Sequence, residues 1–236
     1  LPTRRDSRDS ADMKAFLASL LAPLWLVATA SADWVLETKI ESPQVNSSGV
    51  MKIKGDKLRV DMDAGPAGAV SSIIDSSTGD TIQVLHAQKM AMKMSAAQIK
   101  SAMEAAGQMP KKDAAPVPAA KATGEKEKVG DYECEIYTWT DAGTSVRLWI
   151  AKDHPHGAAL QALDKKMRSG VLGAMQKGPD TSLLPGPSLK TETTVGGAKM
   201  MTNTVVSIKE QPLDAKDFEV PAGYKDMALP AGVGGK

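Results

Sequence analysis

A chain of 236 residues with 42% apolar content can bury one large β domain or two small ones, but only 4% is aromatic, so its core must rest on aliphatic side chains and 13 methionines. Twenty-nine basic residues face 28 acidic ones, which excludes the basic footprint of a nucleic-acid binder. A single cysteine, Cys134, excludes an intramolecular disulfide framework and a cysteine-rich metal site.

The first segment carries the marks of export. Met13-Lys14 is a short basic start, Ala15 to Val27 an apolar run, and Ala30-Ser31-Ala32 a small-residue cleavage motif ahead of Asp33. That run is shorter than the ~20 residues that span a bilayer, and Pro23 interrupts it. Residues 1–12 read as an over-extended start, so residues 1–32 are expected to be lost. Without their four basic and three acidic residues, 25 of each remain. Cleavage between Ala32 and Asp33 would leave a periplasmic or secreted protein, with residues 33–227 as one domain and residues 228–236 as a loose tail.

Trp34, Leu36, Thr38 and Ile40 alternate with polar residues, the pattern of a half-buried strand ending at Ser42-Pro43. Val50 to Asp63 predicts a hairpin about Gly55-Asp56, because only that turn sets Ile53 against Leu58 and Met51 against Val60 on one face. Further strands are expected over Val70–Asp75, Thr81–His86 and Lys89–Met94. At Ser95 the period changes: Ser95-Ala96-Ala97-Gln98 has the form of a capping box, Ile99, Ala102, Met103 and Ala106 mark a helical face, and Gly107 suits the helix end. Gln108 to Thr123, with three prolines and no periodicity, reads as a flexible insertion.

The clearest long-range instruction runs from Val129 to Asp153. Pairing Thr138 with Val146 and Ile136 with Leu148 leaves Asp141-Ala142-Gly143 as a three-residue loop, and sets Tyr137 beside Arg147 and Glu135 beside Trp149 on the other face. Leu160, Leu163, Met167 and Val171 then space themselves along an amphipathic helix, expected over Ala158–Met175. Leu189 to Glu210 predicts a third hairpin turned at Gly196-Gly197, with Thr193 opposite Met200 and with Val206 and Ile208 on one face. The sum is mainly β with α: a curved antiparallel sheet of roughly ten strands carrying two helices, large enough to curl into a half-barrel.

The export signal, the Met-rich strand entering Ser95-Ala96-Ala97-Gln98, the V-G-D-Y-E-C-E-I-Y segment at Val129 to Tyr137, the W-I-A-K-D at Trp149 to Asp153 and the closing F-E-V-P-A-G-Y form one set. Together they resemble a bacterial family of unknown function related to the LolA/LolB lipoprotein-carrier superfamily. The resemblance implies an unclosed barrel with helices over its mouth and a cavity that accepts acyl chains. No functional residue carries over from it.

Met90, Met92 and Met94 alternate along one strand, with Met51, Met62 and Met103 as neighbours in prospect. They fit core packing, an adaptable wall for lipid chains, or, with His86, a copper(I) site of soft ligands. Trp34, Leu36, Ile136 and Leu148 complete the expected lining of a ligand cavity. His154 and His156 flank Pro155 and read as exposed loop histidines, since a shared metal would need further ligands and only Asp153 is local. Cys134 points inward as a small apolar group, and Asp61 and Asp63 mark a solvated strand face. No catalytic motif is present. The reading is therefore a non-enzymatic binding protein without a cofactor, taking a lipid or lipoprotein acyl chain on the concave face. Its alternatives are a copper-binding protein using Met90, Met92 and Met94, and an envelope scaffold with a transient partner on the face bearing Trp149 and Tyr137.

Overall fold

Turn chemistry and alternation cooperate at the N-terminal end of the sheet. In the computed structural model, which describes residues 32–44, 46–63, 65, 68–107, 117–168 and 178–227, β1 (Trp34–Glu41) is followed by β2 (Asn46–Lys54) and β3 (Lys57–Asp63). Gly55 takes φ +56°, the left-handed conformation that glycine adopts without steric cost, and Ile53 meets Leu58 while Met51 meets Val60, as expected. The sheet continues through β4 (Ala69–Asp75), β5 (Thr81–Leu85) and β6 (Met90–Met94).

Helix α1 (Ala96–Ala105) starts at a complete capping box in which the Ser95 hydroxyl accepts from the Gln98 N–H and the Gln98 side chain accepts from the Ser95 N–H. Then come β7 (Lys121–Val129), β8 (Tyr132–Asp141), β9 (Thr144–Ile150), helix α2 (Gly157–Arg168), β10 (Ser188–Val195), β11 (Ala198–Glu210) and the two-residue β12 (Lys225–Asp226). These twelve strands lie in the order β12-β6-β5-β4-β3-β2-β1-β11-β10-β9-β8-β7, and the first and last do not pair, so the curved sheet stays unclosed. All pairings are antiparallel except β12 with β6. Residues 1–31 of the expected export segment, residues 108–116 of the insertion, the helix beyond Arg168 and the tail from residue 228 lie outside the described residues, while Lys121–Thr123, expected to end the flexible insertion, instead open β7 because they pair with β8.

Registers carried across the strands define two faces. On one, Trp34, Ile53, Leu58 and Ile74 form a buried cluster against which Leu163 and Met167 of α2 pack. The same face continues through Ile40, Asn203 and Thr191 to Leu148, where Trp139, Val146, Leu148 and Ile150 are covered by Leu184 from the 181–187 loop. This is the helix face. On the other, Val35, Ile73, Val84 and Ala91 are covered by Leu213 and Phe218 from the segment 211–224, with Val220 and Tyr224 alongside. This is the strap face. Apolar residues thus fill both sides of the sheet, not one.

The central hairpin departs from expectation by one residue. Asp141 pairs with Thr144 across a two-residue Ala142-Gly143 turn, Trp139 meets Val146, and Ile136 meets Trp149 while Leu148 meets Tyr137. Ile136 and Leu148 therefore point to opposite faces, because a one-residue slip reverses every side chain. Ile136 packs with Cys134, Trp149 and Leu189. Trp149 sits with the cations: its indole N–H donates to Glu127 at 2.8 Å, and the Lys190 ammonium lies 4.2 Å above its ring. In the third hairpin a bulge sets Thr193 against Met201, and Val206 is exposed while Ile208 faces the core.

Candidate ligand-binding site

Helix α2 owes its seat to its sequence. Leu160, Leu163 and Met167 recur at helical spacing and turn one stripe toward the sheet. Polar groups pin its flanks. Gln161 donates its amide N–H to the Leu184 carbonyl, Arg168 Nη2 donates to the Thr181 hydroxyl at 2.7 Å, and Thr181 in turn donates to Asp164 at 2.5 Å. On the other side Lys166 reaches Asp56 and the Gly55 carbonyl in the β2–β3 turn. The 181–187 loop is itself anchored by the Ala151 N–H donating to the Pro187 carbonyl at 3.0 Å. Gly186 lies so close to the Ala151 carbonyl that no side chain fits there.

A cavity of about 140 Å³ remains between this cover and the sheet. Its walls are mostly apolar: Leu36 and Met51 below, Leu160, Leu163 and Met167 above, Val205 and Ile208 at the side. An apolar chamber of that size holds a group the size of benzene, as a dry cavity of ~150 Å³ does. Next to it lies a second cavity of about 170 Å³, lined by Tyr132, His154, His156, Asp131 and Ser207. Leu189, Val205 and Ile208 line both.

The histidines of this second cavity are not freely exposed loop residues. His154 is only 7% exposed, its ring 4.4 Å from that of Tyr132, while His156 stands edge-on to Trp34 at 4.9 Å. Burial, aided by the neighbouring His156, lowers the pKa of His154 below its ordinary value near 6.5. The loop 151–157 folds back because the Gly157 N–H donates to the His154 carbonyl and the His154 N–H to the Ala151 carbonyl.

Of the residues named for a ligand wall, Leu36 and Met51 border the apolar cavity under α2. Trp34 lies buried in the adjoining cluster, and Leu148 is on the same face beneath Leu184. Met90, Met92 and Met94 share that face, half-buried, but sit at the far end of the sheet. Met62 is exposed, Met103 is buried on α1, and Ile136 is on the opposite face. Val205, a chamber wall, joins Ile208 on this face in place of the expected Val206, because β11 bulges opposite Glu37/Thr38, which no alternation discloses. Helix α1 contributes no residue to either cavity among the described residues.

His86 adjoins the methionine strand in the chain but its side chain lies on the opposite face from Met90, Met92 and Met94. Its Nε2 lies 2.6 Å from the Ser71 hydroxyl and its Nδ1 2.8 Å from the Tyr224 hydroxyl, on the strap face. Ser71 donates to Asp61 at 2.5 Å, and Arg59 donates to both. Asp61 therefore belongs to a half-buried network rather than to a solvated face. Among the described residues no group of three His, Cys, Asp or Glu could hold a metal ion. The Ser71–His86 pair has the look of a nucleophile and its base, but Ser71 is wholly buried and its hydrogen is given to Asp61. Cys134 is also wholly buried, and that burial pushes its thiol pKa up.

Residues 34–224 match the family model described as a domain of unknown function, DUF4412. The chain belongs to this family. The family is thus one of unknown function, as the resemblance implied. No protein of curated function matches. Among solved structures, PNGF-II is similar at 12% identity and TM-score 0.40, covering 85% of this chain and 31% of its own. MucB in complex with MucA(peri) gives 11%, 0.43, 85% and 58%, and a DUF1329 family protein from Desulfovibrio piger gives 11%, 0.34, 81% and 91%. This DUF4412 chain thus spans about a third of the length of the first of these and 58% of the second. No helix among the described residues is long and apolar enough to cross a membrane.

Proposed function

We propose that this DUF4412 protein is a non-enzymatic binding protein of the cell envelope that takes an apolar group, such as the end of a lipid or lipoprotein acyl chain, beneath α2. The observation that carries the reading is the apolar chamber between Leu36 and Met51 on the sheet and Leu160, Leu163 and Met167 on the helix. A cover held at its rims by Gln161, Asp164, Arg168 and Lys166 keeps that space from collapsing, so the apolar walls await a guest instead of packing on one another. Met51 and Met167 give the walls side chains that adapt to varied shapes. The export-like start supports an envelope location, and Asp33, the first residue after the expected cleavage point, is already held by Lys54 and the Leu213 N–H at 2.7 and 2.9 Å.

The test is binding of N-phenyl-1-naphthylamine, whose fluorescence rises in apolar surroundings and whose phenyl ring matches the chamber in size. The wild-type protein should bind it at micromolar concentration, and Leu163→Trp, which fills the chamber, should weaken binding about tenfold or more while leaving the unfolding midpoint nearly unchanged. Binding that survives the filled chamber refutes the site. Edman sequencing of the protein recovered from its own envelope should begin at Asp33.

A further inference from the structure

His154 occupies an unusual position for a histidine outside any described polar network. Its Nδ1 accepts the His156 backbone N–H at 3.2 Å, so in the neutral ring the hydrogen sits on Nε2. No residue among those described accepts from that nitrogen, although the side chain is more than nine-tenths buried. Nor does Nε2 belong to the polar atoms that are both shut from solvent and without a partner, which are Thr81 Oγ1, Trp139 Nε1, Thr202 Oγ1 and Asn203 Oδ1. Among the described residues that N–H is unpaired, and His154 is one of the residues lining the second cavity. Tyr132, packed 4.4 Å from the ring, holds its plane.

We infer that this second cavity is a subsite for a neutral carbonyl oxygen, the ester or amide of an acyl compound whose apolar end occupies the chamber under α2. The inference rests on the chamber reading above and names what the other end of the guest must offer. Three features select that chemistry. The first is a fixed N–H donor on a buried ring, which rewards an acceptor and penalises a bare hydrocarbon left against it. The second is charge: Asp131 lines the cavity, no Lys or Arg does, and burial keeps His154 uncharged near neutral pH, so a carboxylate or phosphate finds a repelling neighbour and no cation. The third is size and adjacency. Each cavity alone is below the usual range for a ligand site, but Leu189, Val205 and Ile208 line both, so a guest that reaches past these side chains has about 300 Å³, the lower end of that range.

Two probes with one carbon skeleton isolate the donor: butyrophenone, which carries a carbonyl, and butylbenzene, which does not. Calorimetric titration of each into the wild-type protein and into His154→Phe forms a cycle in which the probes' differing hydration cancels. The ketone's advantage over the hydrocarbon should be about five- to tenfold greater in the wild type than in the variant. 4-Phenylbutanoate at pH 8 should bind at least about tenfold more weakly than the ketone. An equal advantage in both proteins, or tighter binding of the carboxylate, overturns the subsite and leaves the chamber standing. Failure of every probe to bind the wild type overturns the chamber and the subsite with it. Should His154→Phe not fold, ¹⁵N spectra of the wild type decide instead: the His154 Nε2 resonance should move with butyrophenone and stay with butylbenzene, and movement with both or with neither refutes the contact.

Discussion

The strap and the helix cover the same sheet in opposite ways. On the strap face, residues 211–224 run as a near-extended chain with one short 3₁₀ turn at Ala215–Phe218, close enough to the pleat for Leu213 and Phe218 to drop between Val35, Ile73, Val84 and Ala91. Polar groups beneath it are paired: Arg59 donates to the Asp217 carbonyl at 2.9 Å, Lys52 meets the Asp217 carboxylate at 2.7 Å, and Tyr224 closes on His86. On the helix face a cylinder about 10 Å across meets a curved surface along one stripe. Leu163 and Met167 fill that stripe, and the space beside it stays open. An extended cover moulds itself to a sheet, whereas a helical one leaves a chamber, and the chamber is where a guest can sit.

The sharpest way to break this contrast is to truncate both covers equally. Leu213→Ala removes a buried side chain of the strap cluster and should cost about 3–5 kcal/mol. Leu163→Ala, half-buried beside existing space, should cost about half of that or less, because its neighbours already lack contacts there. Urea unfolding of both variants checks the ratio, and equal costs would mean the helix face is packed as tightly as the strap face.

Next in size are changes to the pins. Ser71→Ala leaves His86 Nε2 and Arg59 Nη2 without their acceptor and should cost about 1–3 kcal/mol in the same assay. Gly186→Ala forces a methyl against the Ala151 carbonyl, and should cost a similar amount, about 1–3 kcal/mol. The two differ in function: only Gly186→Ala should alter naphthylamine binding, since Gly186 lines the chamber and Ser71 lies behind the sheet.

Smaller is a pH effect confined to the helix face. His154 has a lowered pKa when folded, from burial first and His156 second, so as pH falls through 6.5 the unfolded chain takes up its proton before the folded one does. Stability is therefore held above about pH 7.5 and declines from 6.5 toward the lower folded value, by at most about 1.4 kcal/mol per pH unit for one such group. His154→Phe should flatten that part of the curve. Protons taken up by the strap's lowered carboxylate Asp217, held down by Lys52, act only at more acid pH.

How far the sequence discloses this contrast depends on where turn chemistry and alternation agree. At Gly55-Asp56 and at Ser95 they do, and register and helix start follow. In the central hairpin both faces of β8 are apolar, Cys134 and Ile136 on one and Tyr137 and Trp139 on the other, so the pattern could not choose a register. The choice fell to the turn, where Ala142 takes φ +45° beside Gly143 at +81° and so closes a two-residue loop that a non-glycine residue at that position concealed. Strand β7 was illegible for the opposite reason. Its residues Lys121 to Lys128 are all exposed, so no period of burial marks them. Leu36 and Met51 could be named as cavity residues because alternation fixes their face. The chamber itself depends on how far α2 stands from the sheet, which no local pattern encodes.

The smallest effect belongs to neither cover but to the sheet's uncovered margin. β7 is an edge strand in which Glu125, Lys126, Glu127 and Lys128 alternate in charge, a composition that discourages another chain from pairing there. Arg147 Nη2 reaches Glu125 on it at 2.6 Å, but both side chains are solvated, 39% and 63% exposed, so screening leaves little of the attraction. Glu125→Ala, which removes the pair while leaving Arg147 over the Trp149 ring, should therefore change stability by less than about 0.5 kcal/mol in urea unfolding at 0.15 M salt. A loss several times larger would mean that this margin is held by its ion pairs rather than by the β7–β8 ladder, and would place a third kind of support beside the strap and the helix.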